Sequence, residues 1–487
     1  MNKNIFQHFF DAQKNLDKTF IETESGEFLS YIDVFNLSGQ IANALVAAGL
    51  KSDVRVAAQV EKSVAALALY LAVVRSGAIF LPLNTAYTKS EMSYFLNDAE
   101  PRILVCDPSC TLTGDFKTFT LNVNNSGSLI ENAQSQPKTF ATVQRGLDDL
   151  AAILYTSGTT GKSKGAMLTH GNLLSNANSL VKIWHFTADD ILIHALPTYH
   201  THGLFVATNT IMLAGASMIY LPKFDAEQII ELLPRATTLM GVPTFYTRLL
   251  NHPKLEKNQV KNIRLFVSGS APLLAETHIE WRVKTGHAIL ERYGMTETNM
   301  NSSNPYEGER VAGSVGFPLP DVDIRIDAPH GEIGMIEIKG PNVFKGYWRN
   351  PEKTAAEFNG DYFISGDLGR FDERGYLHLV GRGKDLIITG GFNVYPIEVE
   401  NEIDVINGVL ESAVIGLAHQ DFGEAVTAVV VKNGAITEGD IKSELEVKLA
   451  KYKLPKSIIF VEALPRNAMG KVQKNVLRET YKNTYTA

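Results

Sequence analysis

The sequence predicts an α/β protein: a large N-terminal body with doubly wound sheets, followed by a small α+β C-terminal domain. Three observations carry this. Short apolar runs alternate with amphipathic stretches of helix length through roughly the first 380 residues, the pattern of parallel strands buried on both faces. The texture changes near residue 365, beyond which strands and helices mix in a stretch long enough for a small domain of its own. The 487 residues also exceed what one hydrophobic core usually serves, so at least two domains are expected.

Taken in order, residues 54–60 read as a strand, 63–76 as a helix closed by Gly77, 78–83 as a strand, 90–97 as a helix and 102–106 as a strand. A polar stretch covers 122–146. The pattern resumes with a strand at 151–155, a helix at 169–184, a strand at 191–196, a helix at 224–235 and strands at 237–242 and 263–268. Residues 376–382 alternate after the turn-like Asp372-Glu-Arg-Gly375. A Gly-flanked polar connection, Gly381-Arg-Gly-Lys-Asp385, leads to a helix at 397–405, strands at 412–416 and 425–431, a helix at 441–450 and a strand at 457–461.

Composition is that of an ordinary globular enzyme, 45% hydrophobic and 20% charged. The net charge of −7 argues against a nucleic-acid or anionic-membrane binder. No run of 18 apolar residues calls for a membrane span, and the N-terminus lacks a signal-peptide core. Two cysteines, Cys106 and Cys110, have no second Cys/His pair for a zinc site and are too few for a disulfide scaffold. A cytoplasmic location is the expectation.

The most informative segment is Tyr155-Thr-Ser-Gly-Thr-Thr-Gly-Lys-Ser-Lys-Gly165, read as lying after a strand and before a helix. Small hydroxyl and glycine residues let backbone N–H groups turn toward phosphate oxygens, and Lys162 and Lys164 add charge. Gly161-Lys162-Ser163 imitates a Walker A ending, but that motif needs Gly five residues before Gly161, where Thr156 stands.

The segment resembles the phosphate-loop signature of the adenylate-forming superfamily, which includes acyl-CoA synthetases, peptide-synthetase adenylation domains and firefly luciferase. Further matches follow in register: Tyr293-Gly-Met-Thr-Glu297, Ser365-Gly-Asp367 (Ser where the family has Thr), Gly381-Arg-Gly-Lys-Asp385 and Pro465-Arg-Asn-Ala-Met-Gly-Lys471. The resemblance implies an ATP- and Mg2+-dependent enzyme that activates an acid as its adenylate and passes the acyl group to CoA. It also implies a small β subdomain in the body and a mobile C-terminal domain. Thr156, Ser157, Gly158, Thr159, Thr160 and Lys164 would cradle the phosphates. Thr296 would meet the α-phosphate, and Glu297 would hold Mg2+. Arg292, Tyr293, Gly294 and Met295 complete that nucleotide segment. Ser270, Ala271 and Pro272 would lie along adenine, Asp367 would accept from the ribose hydroxyls, and Arg382 would sit near the ribose. Lys471 would be the central catalytic residue, bridging the acid and the α-phosphate. The implied domains are 1–381, a hinge at 382–386 centred on Lys384, and 387–487. Rotation there would exchange Lys471 for a CoA channel at Gly390, Gly391 and Phe392.

Within the superfamily, Tyr199-His-Thr-His-Gly-Leu204, 241–248 and 291–301 are similar to bacterial malonyl-CoA synthetases. Malonate keeps a second carboxylate after one is activated, and burying that anion demands a fixed cation. Arg248 and Arg292 would supply it, His202 and Ser268 would add donors, and Met300 would limit the pocket. Arg248 also reads as a surface arginine at helical spacing, and Arg292 as a partner of Glu291. Methylmalonate falls within reach of the same pocket. The alternatives are a CoA ligase for another short-chain acid and a non-catalytic nucleotide-binding protein on this fold. In relatives, acetylation of the lysine matching Lys471 controls activity.

Overall fold

The computed structural model describes residues 2–156, 163–467 and 470–485. The chain divides into two compact units, Met1–Ile324 with Ile338–Phe363, and Arg325–Glu337 with Ile364–Ala487.

Among the described residues, the first unit holds two large, mainly parallel sheets. One has the strand order Lys117–Thr120, Ile103–Cys106, Arg55–Gln59, Ile79–Pro82, Leu150–Thr156, Lys164–Thr169. Its inner strands are apolar on both faces because helices cover both; the whole side of Val64–Arg75 is buried. The other sheet places Leu290–Met295, Leu265–Ser268, Thr238–Gly241 and Ile191–His194 side by side and parallel. The carboxyl ends of these four strands therefore share one edge, the edge at which open α/β sheets bind ligands.

Two segments differ from the sequence-based expectation. The glycine-rich loop returns into a strand, Lys164–Thr169, that pairs antiparallel with Leu150–Thr156; the helix begins only at His170. Residues 164–169 bury Gly165, Ala166, Leu168 and Thr169, and Thr169 then caps the helix through a capping box with Asn172, a start worth about 1 kcal/mol. The loop thus has strands on both sides and no helix N-terminus directly after it, unlike a Walker A loop. The polar stretch at 122–146 contains a short helix, Ser128–Gln134, whose Leu129 and Ala133 are buried.

In the second unit, Tyr362–Phe371 carries its later residues into an antiparallel pair with Leu377–Arg382. A second sheet centres on Val409–His419 and Gly423–Lys432, with Ser457–Val461 parallel to the latter. Alternation sends Val414, Val426, Ala428 and Val430 to one face, beneath the helices Pro396–Asp404 and Glu438–Glu446. Ala413, Ile415, Leu417, Val429 and Val431 meet Leu477 of the helix Lys474–Tyr481 on the other. Among the described residues, no helix is long and apolar enough to cross a membrane.

Candidate active site

The first cluster stands where the glycine-rich loop leaves and rejoins its sheet. Thr156 ends one strand and Lys164 opens the next, and the two face each other in register. The Thr156 hydroxyl donates to Glu297 Oε1 at 3.3 Å, and the Tyr347 hydroxyl approaches the same oxygen at 3.1 Å. Glu297 is buried and follows Thr296 in the turn between Leu290–Met295 and Asn299–Ser303. A buried carboxylate ringed by hydroxyl donors, in a site of oxygen ligands, fits a hard cation such as Mg2+. Among the described residues, no group of three or more His, Cys, Asp or Glu is placed to hold a metal ion. Lys164 Nζ pairs with Glu357 Oε1 at 3.2 Å and lies 4.2 Å from the Tyr347 ring centre. Ser157, Gly158, Thr159 and Thr160 lie outside the described residues.

The second cluster forms at the shared carboxyl edge of the parallel strands. Arg292 is buried, with 3% of its surface accessible, and its guanidinium lies against the backbone of Gly269; a Cβ added there would stand 2.4 Å from Arg292 Cζ. Strand alternation sends Glu291 to the opposite face, where it accepts from His278 Nδ1 at 2.9 Å and from the Gly313 N–H at 3.1 Å. Nε and Nη2 of Arg292 have no hydrogen-bond partner. Burial pushes its pKa down to about 9, against a small opposing effect from Tyr246.

Buried beside this edge are Ser268, whose hydroxyl has no partner, and His202, whose Nδ1 meets Ser270 Oγ at 3.2 Å while Nε2 has no partner. Burial, and then the Arg292 charge, hold His202 well below the usual imidazole range, so it is neutral. If Ser270 donates to Nδ1, the proton sits on Nε2 and gives the site another donor. Ser270 itself takes a left-handed backbone (φ 72°), a strained conformation for a non-glycine residue of the kind that gathers at functional sites. Ala271 and Pro272 follow it, exposed. Met300 is buried in the hairpin opposite Gly294, its Cε 2.3 Å from the position of a Gly294 Cβ. Arg248, on the helix Pro243–Leu250, is exposed, with its guanidinium 5.8 Å from the Phe224 ring centre. The structure therefore brings Arg292, Ser268, Ser270 and His202 to one edge and leaves Arg248 on the surface of its helix.

His202 opens a π-helix, His202–Thr208, a form that concentrates at functional sites. Beneath it, buried Lys62 contacts Nδ1 and the carbonyl of His194 at 2.8 and 2.7 Å. His194 Nε2 faces the Gly203 carbonyl at 2.9 Å, so Nε2 carries the proton and Nδ1 accepts from Lys62. Sequence reasoning missed this support, together with Tyr347 and Glu357. A lysine in the run Val60-Glu-Lys-Ser63 reads as solvated, and only its burial marks it out.

The second unit carries the remaining candidates. Asp367 pairs with Arg382 across neighbouring strands, with Nε to Oδ1 at 2.7 Å. Ser365 accepts from the Asp367 N–H at 3.0 Å and donates to the Ile336 carbonyl at 2.8 Å, so its hydroxyl fixes the aspartate. Lys384 lies in the 3₁₀ turn Gly383–Asp385, and burial lowers its pKa. Its neighbour Asp385 is held by Arg478 at 2.7 Å. Gly390 and Gly391 both have positive φ, the requirement of a two-residue hairpin turn, and Phe392 beyond them stacks on Tyr452 at 4.8 Å. Lys471 is exposed, and its backbone is set by hydrogen bonds in both directions with Asn467. Arg466 braces that turn through the Gly470 carbonyl at 2.6 Å and an ion pair with Glu411.

The AMP-binding enzyme family model matches residues 9–348, and the AMP-binding enzyme C-terminal domain model matches 398–471. The crystal structure of ATP-bound MatB from Rhodopseudomonas palustris is 59% identical, covers 100% of both chains and superposes with a TM-score of 0.98. A malonate–CoA ligase of Arabidopsis thaliana is 36% identical over 454 residues, 84% of this chain and 75% of its own. A feruloyl-CoA synthase of an Amycolatopsis species is 34% identical over 469 residues, 94% of each. Hydroxyls and a lysine at a glycine-rich loop, a buried glutamate beside them, and two consecutive family matches agree: the chain belongs to the AMP-binding enzyme family.

Proposed function

We propose that this enzyme is an ATP-dependent malonate–CoA ligase, converting malonate, ATP and CoA to malonyl-CoA, AMP and pyrophosphate through malonyl-AMP. The observation that carries the reading is the buried guanidinium of Arg292 with two of its nitrogens, Nε and Nη2, unpaired. An uncompensated cation in an interior is costly, and a ligand carboxylate is the natural complement. The 59% identity with MatB and the similarity to a malonate–CoA ligase support the same substrate.

In the first half-reaction, one malonate carboxylate oxygen bonds to the α-phosphorus and pyrophosphate leaves. Thr156–Thr160 and Lys164 hold the phosphates, Thr296 donates to the α-phosphate, and Lys471 offsets charge gathering there. Glu297 holds Mg2+, which when bound spreads the charge of the phosphate oxygens. Arg292, with Ser268 and His202, grips the second carboxylate; Arg248 adds a cation from the surface, and Met300 sets the depth of the pocket. Asp367 accepts from the ribose hydroxyls, with Arg382 beside it, and 270–272 lie along adenine. In the second half-reaction, the CoA sulfur bonds to the acyl carbon and AMP leaves. We assign the change between halves to a turn of residues 387–487 about Lys384, which withdraws Lys471 and presents Gly390, Gly391 and Phe392 to the thiol arm.

Methylmalonate is a second substrate, since one added methyl discriminates by only ~1–3 kcal/mol. Acetylation of Lys471 silences adenylation, and the enzyme works in the cytoplasm. The test is product analysis: malonate, Mg-ATP and CoA should give malonyl-CoA and AMP together, and formation of ADP, or of no thioester, would reject the proposal.

A further inference from the structure

The glycine-rich loop ends on a lysine that is already engaged. Lys164 Nζ sits 3.2 Å from Glu357 Oε1 and above the Tyr347 ring, with only 18% of its side chain accessible. The seat is built rather than incidental. Segment 345–348 is hydrogen-bonded along the strand that starts at Lys164: the Trp348 N–H donates to the Gly165 carbonyl at 2.7 Å, the Met167 N–H to the Gly346 carbonyl at 2.9 Å, and the Lys345 N–H to the Met167 carbonyl at 2.9 Å. The Thr354 hydroxyl accepts from the Tyr347 N–H at 2.9 Å, and Glu357 closes the helix Pro351–Ala356. The Tyr347 hydroxyl reaches Glu297 Oε1 at 3.1 Å and Glu357 Oε2 at 3.3 Å. It has one proton for two carboxylates, so it donates to one at a time. Glu357 is bound by a second cation, Lys353 Nζ, at 2.6 Å. It can therefore release Lys164 without becoming an unpaired carboxylate.

We propose that Glu357 is the resting partner of Lys164: it holds the lysine when phosphate is absent, and ATP must displace it. This rests on the assignment of Lys164 to the phosphates. Lys353 keeps Glu357 paired while Lys164 is away, and the return of Lys164 to Glu357 helps to expel pyrophosphate. Glu357 is then a competitor for the phosphate-binding cation, and removing its charge tightens nucleotide binding.

The experiment is equilibrium titration calorimetry of the full chain with ATP, without acid or CoA, on wild type, Lys164→Ala, Glu357→Gln and the double variant. Thermal unfolding of each variant checks that it is folded. A half-buried pair of this kind, at the upper end of what surface ion pairs contribute, predicts about twofold to fivefold tighter ATP binding in Glu357→Gln. The gain should vanish when Lys164 is already Ala. Should Glu357→Gln fail to fold, Glu357→Asp replaces it; its carboxylate stops one methylene short of Lys164, and a smaller tightening in the same direction is expected. Unchanged or weaker ATP binding in a folded Glu357 variant, with Lys164→Ala weakening it, overturns the inference alone. No effect of Lys164→Ala overturns the phosphate assignment and the inference with it.

Discussion

Replacing Arg292 with Met should make the empty protein more stable and the enzyme far worse. The guanidinium is buried with Nε and Nη2 unpaired, and burial takes its pKa far down from the usual guanidinium range, to about 9. At about 1.4 kcal/mol per unit, holding the charge in the empty fold costs on the order of 5 kcal/mol, an upper figure because interiors relax. The sign follows from linkage. The folded pKa lies below the unfolded one, so the cost is fully present below pH 9 and fades as pH rises from about 9 toward the ordinary guanidinium range. Methionine has similar length and no charge, and replacing a buried ion by an apolar side chain stabilises by roughly 1–4 kcal/mol in comparable sites. The same change deletes the counter-charge of the substrate's free carboxylate, worth about 3–5 kcal/mol, or roughly a hundredfold to several-thousandfold in kcat/KM for malonate. Urea unfolding at pH 7.5 measures the first quantity and pyrophosphate release the second. A destabilised variant that keeps malonate turnover would refute the reasoning, because Arg292 would then be a structural arginine.

Three further outcomes follow. Gly269→Ala places a methyl group where the Arg292 guanidinium lies, 2.4 Å from Cζ, so malonate KM should rise at least tenfold while ATP affinity changes little; titration of each ligand separates the two. Lys471→Ala should cut malonate-dependent pyrophosphate release by about a hundredfold or more and spare thioester formation from added malonyl-AMP, as read by single-turnover kinetics of each half. His170 is buried, accepts from the Ile5 N–H at 3.2 Å and has its pKa driven by burial down to about 4. Its folded pKa lies below the unfolded 6.5, so its neutral form supports the fold above pH 6.5, and up to about 3 kcal/mol is lost as pH falls toward 4. Urea midpoints between pH 4 and 6.5 should fall less steeply in His170→Gln.

The parallel strands were legible because each is a short apolar run between helix-length stretches, and the phosphate loop because its residue types serve little else. The strand Lys164–Thr169 was not, since Lys164-Gly-Ala-Met-Leu-Thr169 is too short and mixed for a period, and only pairing with Leu150–Thr156 makes it a strand. Arg292 was legible as a candidate, yet the sequence allowed Glu291 as its partner. Strand alternation decides against that pairing by sending Glu291 to His278. Glu357 and Tyr347 stand nearly two hundred residues beyond Lys164, and nothing local in Pro351-Glu-Lys-Thr-Ala-Ala-Glu357 announces a partner so distant. Lys62 escapes for the same reason: its meaning lies in what covers it.

The most direct test of the central claim is pyrophosphate release with malonate, methylmalonate, acetate, propionate and octanoate, each with and without CoA. The account predicts strong turnover on malonate that depends on CoA, lesser turnover on methylmalonate, and little on the monocarboxylates, which leave the Arg292 charge unpaired. Preference for acetate, propionate or octanoate would contradict it, leaving adenylate chemistry in place and removing Arg292 as the reader of a second carboxylate.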